Sequence, residues 1–69
     1  MEILAKRMKE LRKERKITQS DLAQALEIAL VSYKRYEANE RDPMAPFIKS
    51  IADYFNVSAD YLLGRSDQR

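Results

Sequence analysis

The side chains best suited to chemistry lie between Thr18 and Arg41, and they are of a kind that binds rather than reacts. Two short apolar-periodic segments, Thr18 to Leu26 and about Ala29 to Glu37, are separated by a tight break. On the second segment, positions 30, 31, 34 and 35 share one helical face, whereas Tyr33, Tyr36 and Glu37 turn toward a core. The outer face offers Leu30 and Val31, then Lys34 and Arg35, with Ser32 as the remaining polar residue. Aliphatic groups that neither donate nor accept are thus followed by donors carrying positive charge. The chain has no histidine and no cysteine, which rules out a nucleophile–imidazole pair and any thiolate or imidazole metal site. Its carboxylates are spread over solvated helical faces and do not converge on a pocket. The expectation is a protein that is not an enzyme, with no cofactor, no metal and no small-molecule substrate.

The elements that must hold this face are all helical. Period-3.6 patterning runs through the chain, and no strand-like alternation lasts beyond four residues. A first helix is predicted over about Glu2 to Lys16, with Leu4, Met8, Leu11 and Arg15 on one stripe. Its like-charged pairs Glu10/Glu14 and Arg12/Lys16 make isolated helicity mediocre, so packing must hold it. Thr18 and Asp21 form a capping-box-like start for the second helix. Ala29 opens the third and cannot cap, which forgoes about 1 kcal/mol. Asn39 suits a left-handed helix end, and Glu40-Arg41-Asp42-Pro43 then breaks the chain. A fourth helix is predicted over about Ala45 to Phe55, with Pro46 tolerated in its first turn and Ile48, Ile51, Ala52 and Phe55 facing inward. The fifth is short, with Ser58 as N-cap, Asp60 in the first turn and Gly64 as the stop. The predicted class is all-α: one compact five-helix domain over residues 1–64, with 65–69 a frayed tail or the start of a linker.

Composition bounds the rest. Sixty-nine residues make one small domain that buries about 60% of its unfolded surface. Charged residues reach 35%, yet the net charge is only +2, so a positive surface must come from folding that gathers Lys and Arg on one side. No apolar run approaches the roughly 20 residues needed to span a bilayer. The opening MEILAKRMKE has no signal-peptide apolar region, and with no cysteine present a cytoplasmic setting is expected, with no membrane partner.

Two short helices joined by a tight break form a helix-turn-helix pattern, in which the second helix is offered to the major groove of DNA. Three blocks sharpen this: L-R-K-E-R-K-I-T-Q-S-D-L-A at 11–23, R-Y-E at 35–37, and I-A-D-Y-F-N-V-S-A-D-Y-L-L-G at 51–64. In that order and spacing the chain resembles the Cro and lambda-repressor (Xre-type) regulators of phage and bacteria over residues 4–64. The resemblance implies a lambda-repressor-like domain that binds double-stranded DNA as a transcriptional regulator, a repressor foremost. It implies a phosphate contact for Gln19, with Thr18 beside it, and Arg41 is the loop cation expected to hold a second phosphate. The physics agrees at Gln19, where the unpaired N–H groups of a helix start suit an anion. The resemblance also implies an ion pair between Arg12 and Glu37. Glu37 closes its helix, where the macrodipole disfavours an anion, so a bidentate arginine partner resolves a conflict.

The departures from the family pattern matter as much. Its recognition helix often exposes Gln, Arg, Ser or Asn, whereas the matching positions here are Leu30, Val31 and Lys34. Three readings follow. Leu30 and Val31 meet thymine methyl groups while Lys34 and Arg35 take phosphate or guanine; or the two aliphatics are packing residues and affinity is unselective; or the apolar tip binds another protein. Glu27 stands where the turn usually carries Gly, at a cost of about 1 kcal/mol if its φ is positive, and brings an anion toward the DNA side. Ala38 replaces the usual Asn and Glu40 the usual Lys or Arg, leaving Arg41 as the loop's cation and predicting a shallow salt slope. A second strip on the fourth helix, Phe47, Ile51 and Tyr54, is either the breadth of the core or, with Tyr61, a two-fold interface for a homodimer on a palindromic site.

Overall fold

In the computed structural model, which describes residues 1–69, the periodicity is realised as α1 (Glu2–Glu14), α2 (Gln19–Ala25), α3 (Leu30–Glu37), α4 (Ala45–Phe55) and α5 (Ala59–Leu62). The helix starts follow their caps. The Asp21 N–H donates to Thr18 Oγ1 at 3.0 Å and the Thr18 N–H to Asp21 Oδ2 at 3.2 Å, a complete capping box for α2. Ser58 Oγ accepts from the Tyr61 N–H at 3.0 Å and opens α5. Ala29 and Met44 precede α3 and α4 with no side-chain cap.

All five helices end by one device. A residue in the left-handed region follows each of them: Lys16 (φ 58°), Glu27 (58°), Asn39 (60°), Asn56 (56°) and Gly64 (79°). The next residue then folds its N–H back onto the helix: Ile17 to Arg12 O at 3.4 Å, Ile28 to Ala23 O at 3.0 Å, Glu40 to Arg35 O at 2.9 Å, Val57 to Ala52 O at 3.0 Å and Arg65 to Asp60 O at 2.9 Å. These are Schellman closures, which satisfy carbonyls that a helix end leaves free. In three of them the residue after the left-handed one is aliphatic, and Ile17, Ile28 and Val57 pack against the core. The chain reverses and buries an apolar side chain in the same step. Asn39, Gly64 and the turn at Glu27 are expected from the sequence; Lys16 is not, because lysine rarely adopts this conformation, and Asn56 carries the same asparagine signal as Asn39. Closure at Lys16 ends α1 at Glu14, two residues short of the predicted limit.

The core is built from Leu4, Met8 and Leu11 of α1, Leu22 and Ala23 of α2, Tyr33 of α3, Ile51, Ala52 and Phe55 of α4, and Tyr61 and Leu62 of α5. Each large side chain removed from water contributes about 1.5–3 kcal/mol. Arg15, expected on the apolar stripe of α1, is exposed instead. Its guanidinium donates to Tyr54 O at 3.3 Å and Phe55 O at 3.2 Å and so caps the last carbonyls of α4. Residues 65–69 make contacts with α1: Arg7 donates to Ser66 O at 2.7 Å and Asp67 Oδ1 at 2.9 Å, and Arg69 pairs with Glu14. Two guanidinium groups hold a segment whose own composition gives no sign of order. No helix is long and apolar enough to cross a membrane.

The second strip of α4 is largely covered within the chain. Ile51 is fully buried and Tyr61 lies in the core, with the Arg7 guanidinium 4.2 Å from its ring centroid. Phe47 is half-buried and packs on Tyr36 at 4.9 Å between centroids. Only Tyr54 of the four is exposed, so most of the strip belongs to the breadth of a small core.

Glu27 occupies a left-handed position where a side chain is strained. Glu27→Gly is expected to raise stability by about 1 kcal/mol, and the thermal midpoint by about 4–8 °C for a domain of this size. Thermal unfolding followed by circular dichroism measures it; an unchanged or lower midpoint would show that the turn is not strained.

Candidate nucleic-acid interface

The outer face of α3 is open. Leu30 is 37% and Val31 53% exposed, while Lys34 and Arg35 are exposed and enter no ion pair. Tyr33 and Glu37 of the same helix are buried. Ser32 is half-buried and so is set back from the outer face, which weakens its standing as a base-reading residue.

What aims α3 is a buried charge pair. Arg12 Nε donates to Glu37 Oε2 and Arg12 Nη2 to Glu37 Oε1, both at 2.9 Å, while Arg12 Nη1 reaches Ile17 O at 2.8 Å. The side chains are 12% and 3% exposed, so the pair is screened from solvent and fixed in direction. Gln19 Nε2 donates to Glu37 Oε1 at 3.1 Å. One carboxylate therefore joins α1, the start of α2 and the end of α3. This link from Gln19 escapes a reading of the sequence, because nothing in the spacing of residues 19 and 37 shows that the two helix ends meet. The Gln19 side chain is half-buried, with its second amide hydrogen and its carbonyl oxygen uncommitted.

Burial by itself pushes the Glu37 carboxyl up, and the hydrogen bonds and charge of Arg12, aided by Gln19, more than reverse it, holding Glu37 below its ordinary value. The hydrogen bonds that Arg12 donates to Glu37 in turn hold its guanidinium charged against burial. Tyr33 sits beside the pair. Its hydroxyl is buried with no hydrogen-bond partner in good geometry, and burial first, then the nearby Glu37 carboxylate, keeps it protonated.

Around this centre the remaining charges are mixed. Thr18 is exposed, with its hydroxyl oxygen engaged by the Asp21 N–H. Arg41 is exposed and unpaired, but Glu27 and Glu40 are exposed on the flanking turns, and Asp42 pairs with the N-terminal ammonium group. Three free cations, Lys34, Arg35 and Arg41, thus stand among several anions.

A family profile described as helix-turn-helix matches residues 8–62, most of the chain. The chain belongs to the helix-turn-helix family. Its five helices and absence of strands are those of the Cro and lambda-repressor-like class, whose motif is formed here by α2 and α3. The chain is 38% identical over 64 residues to the HTH-type transcriptional regulator ImmR of Bacillus subtilis (strain 168), covering 93% of this chain and 50% of that protein. It is 36% identical over 63 residues to the HTH-type transcriptional regulator AnsR of the same organism, covering 91% of this chain and 54% of that protein. It is 42% identical over 48 residues to the cryptic phage CTXphi transcriptional repressor RstR of Vibrio cholerae, covering 70% and 43%. This helix-turn-helix chain spans about half the length of the curated relatives it matches. No solved structure matches it.

The Arg12–Glu37 pair gives two expectations. Arg12→Ala leaves a buried carboxylate without its counter-ion and is expected to cost about 3–5 kcal/mol in urea unfolding. Because the folded protein holds Glu37 below its unfolded value of about 4.3, the pair stabilises fully above that pH, and the stabilisation is lost as pH falls through the folded value. Urea midpoints measured between pH 6 and pH 2 should therefore fall, and Glu37→Gln should flatten that acid limb. An equally steep limb in Glu37→Gln would assign it to other carboxylates.

Proposed function

We propose that this helix-turn-helix chain binds double-stranded DNA sequence-specifically and regulates transcription, as a repressor, by placing α3 in the major groove. One observation carries the reading: on a helix held at both its core residue and its end, two exposed aliphatics are followed one turn later by two exposed, unpaired cations. B-DNA's major groove is wide enough for a helix, and its base edges offer the complementary chemistry. Leu30 and Val31 meet thymine methyl groups. Lys34 and Arg35 take guanine edges or phosphate, and only Arg35 can do so in bidentate fashion. Gln19, through its uncommitted amide hydrogen, and Arg41 hold phosphates on either side, with Thr18 at the margin. These contacts set position; those from α3 set sequence.

Two copies on a palindromic site, with half-site centres about 34 Å apart, complete the arrangement, and the setting is the cytoplasm. The repressor assignment draws support from a relative named as a phage transcriptional repressor. The mixed charge around α3 implies that its own contacts involve few phosphates and add little to the salt dependence.

Lys34→Ala and Arg35→Ala are each expected to weaken binding to a selected duplex by about 1–3 kcal/mol without unfolding the domain. Gln19→Ala should weaken binding almost equally across sequences, with thermal unfolding run alongside because it also removes a bond to Glu37. The duplex comes from selection in a random pool at moderate salt, where a palindromic motif is expected. Unchanged affinity in both α3 variants would mean that α3 is not the reader. Complete absence of salt-dependent duplex binding would turn the apolar tip toward a protein partner.

A further inference from the structure

The most uneven distribution of charge lies on α1, away from the motif. At about 100° per residue, Lys6, Lys9 and Lys13 fall within an arc of about 60° on its exposed surface. Lys16 stands just past the helix end, also exposed. None of the four enters an ion pair or a side-chain hydrogen bond, although 11 acidic residues are available in the chain. Glu2 and Glu10 lie in i,i+4 register with Lys6 and offset it, whereas Glu14 is taken by Arg69. Glu10 also lies in i,i+3 register with Lys13, so one carboxylate is shared by two lysines, and Lys9 and Lys16 have no acidic neighbour in register.

Two features make this costly for the folded chain alone. Lys9 and Lys13 are like charges one turn apart, which repel. Lys16 is a lysine in the left-handed region, where Gly or Asn is less strained. An anion lying along the row offsets the first cost and gives the second a use.

The placement says which anion. The row is nearer the flank of α1 from which Arg12 reaches Glu37 of α3 than the flank from which Arg7 reaches the tail. At its beginning, α1 is tied through the N-terminal ammonium group to Asn39 Oδ1 at 3.0 Å, beside the Arg41 loop. Toward its end, Arg12 holds Ile17 O, beside Thr18 and Gln19. Helix α1 therefore runs between the two segments assigned above to phosphates and carries the row along its exposed side. We propose that Lys9, Lys13 and Lys16, with Lys6 at the margin, form a second backbone-contact ridge that binds the phosphates of duplex DNA flanking the bases read by α3. This rests on the DNA-docking reading and extends its footprint. It also supplies the electrostatic attraction that the mixed charges around α3 lack.

The test compares two variants of equal net charge. Lys9→Gln/Lys13→Gln removes the ridge, and Lys49→Gln/Arg65→Gln removes two exposed cations elsewhere. Both are titrated against a selected duplex of about 30 base pairs over a range of salt. The ridge variant is expected to lose about tenfold in affinity at low salt, to lower the salt slope by about two, and to keep the same selected motif. The control is expected to keep the parent slope. An unchanged slope in the ridge variant, or an equal loss in both variants, overturns the proposal, because the lysines then contribute nothing beyond net charge. Lys34→Ala and Arg35→Ala separate the two readings. If they abolish motif binding while the ridge variant does not change it, the ridge fails alone; if they do nothing while the ridge variant loses affinity, α3 fails as reader and the ridge stands as the DNA surface.

Discussion

The whole arrangement depends on the carboxylate of Glu37 being held where it is. Alpha3 has eight residues and no side-chain cap, too short to be stable or oriented by itself in water. Two anchors direct it: Tyr33 is buried at its middle, and Glu37 is clamped by Arg12 at its end. The pair's net stabilising energy is small, because desolvating two charges offsets most of their attraction. Its effect is directional. A fork-shaped guanidinium meeting a carboxylate through two bonds admits one relative orientation, and the same guanidinium fixes the chain at Ile17 just before α2 begins. The Gln19 bond then sets α2 against α3. An apolar pair of similar volume could fill the same space without fixing that angle.

The turns answer a different constraint. A chain of 69 residues must reverse direction repeatedly while leaving few backbone groups unpaired, and it has one glycine with which to do so. Left-handed closure at Lys16, Glu27, Asn39, Asn56 and Gly64 meets the need, with the strain of non-glycine residues offset by Ile17, Ile28 and Val57 entering the core. The sequence reading reached the helices because the apolar period is local and the Ser, Thr and Pro starts carry their own signal. It missed Lys16 because lysine is a rare left-handed residue, and it passed over Asn56 although asparagine carries the same signal there as at Asn39. The shared order of left-handed residue, aliphatic and N-cap in Lys16-Ile17-Thr18 and Asn56-Val57-Ser58 is the mark it could have used.

The candidate site was readable where helical phase alone decides it. The outward set of Leu30, Val31, Lys34 and Arg35 and the inward set of Tyr33 and Glu37 follow from 3.6 residues per turn. Contacts between elements far apart in the chain were not readable in the same way. Gln19 to Glu37, Arg15 to the end of α4, Arg7 to the tail and the burial of Tyr61 all depend on how helices pack, and a one-dimensional period holds no record of that. Long arginines account for two of these four contacts. Their reach lets one residue cap, stack or clamp at a distance that apolar periodicity does not report.

Alpha3 thus combines a rigid mount with a surface that is part apolar and part cationic, set among acids that limit indiscriminate attraction. Such a surface relies on shape and methyl contacts as well as charge. Mapping backbone amide shifts of the labelled protein during titration with a selected duplex tests this most directly. The largest changes are expected at Leu30 to Arg35, with smaller ones at Gln19 and around Arg41, while Arg12 and Glu37 remain fixed. Changes confined to α4 and α5, or no changes at all, would contradict it.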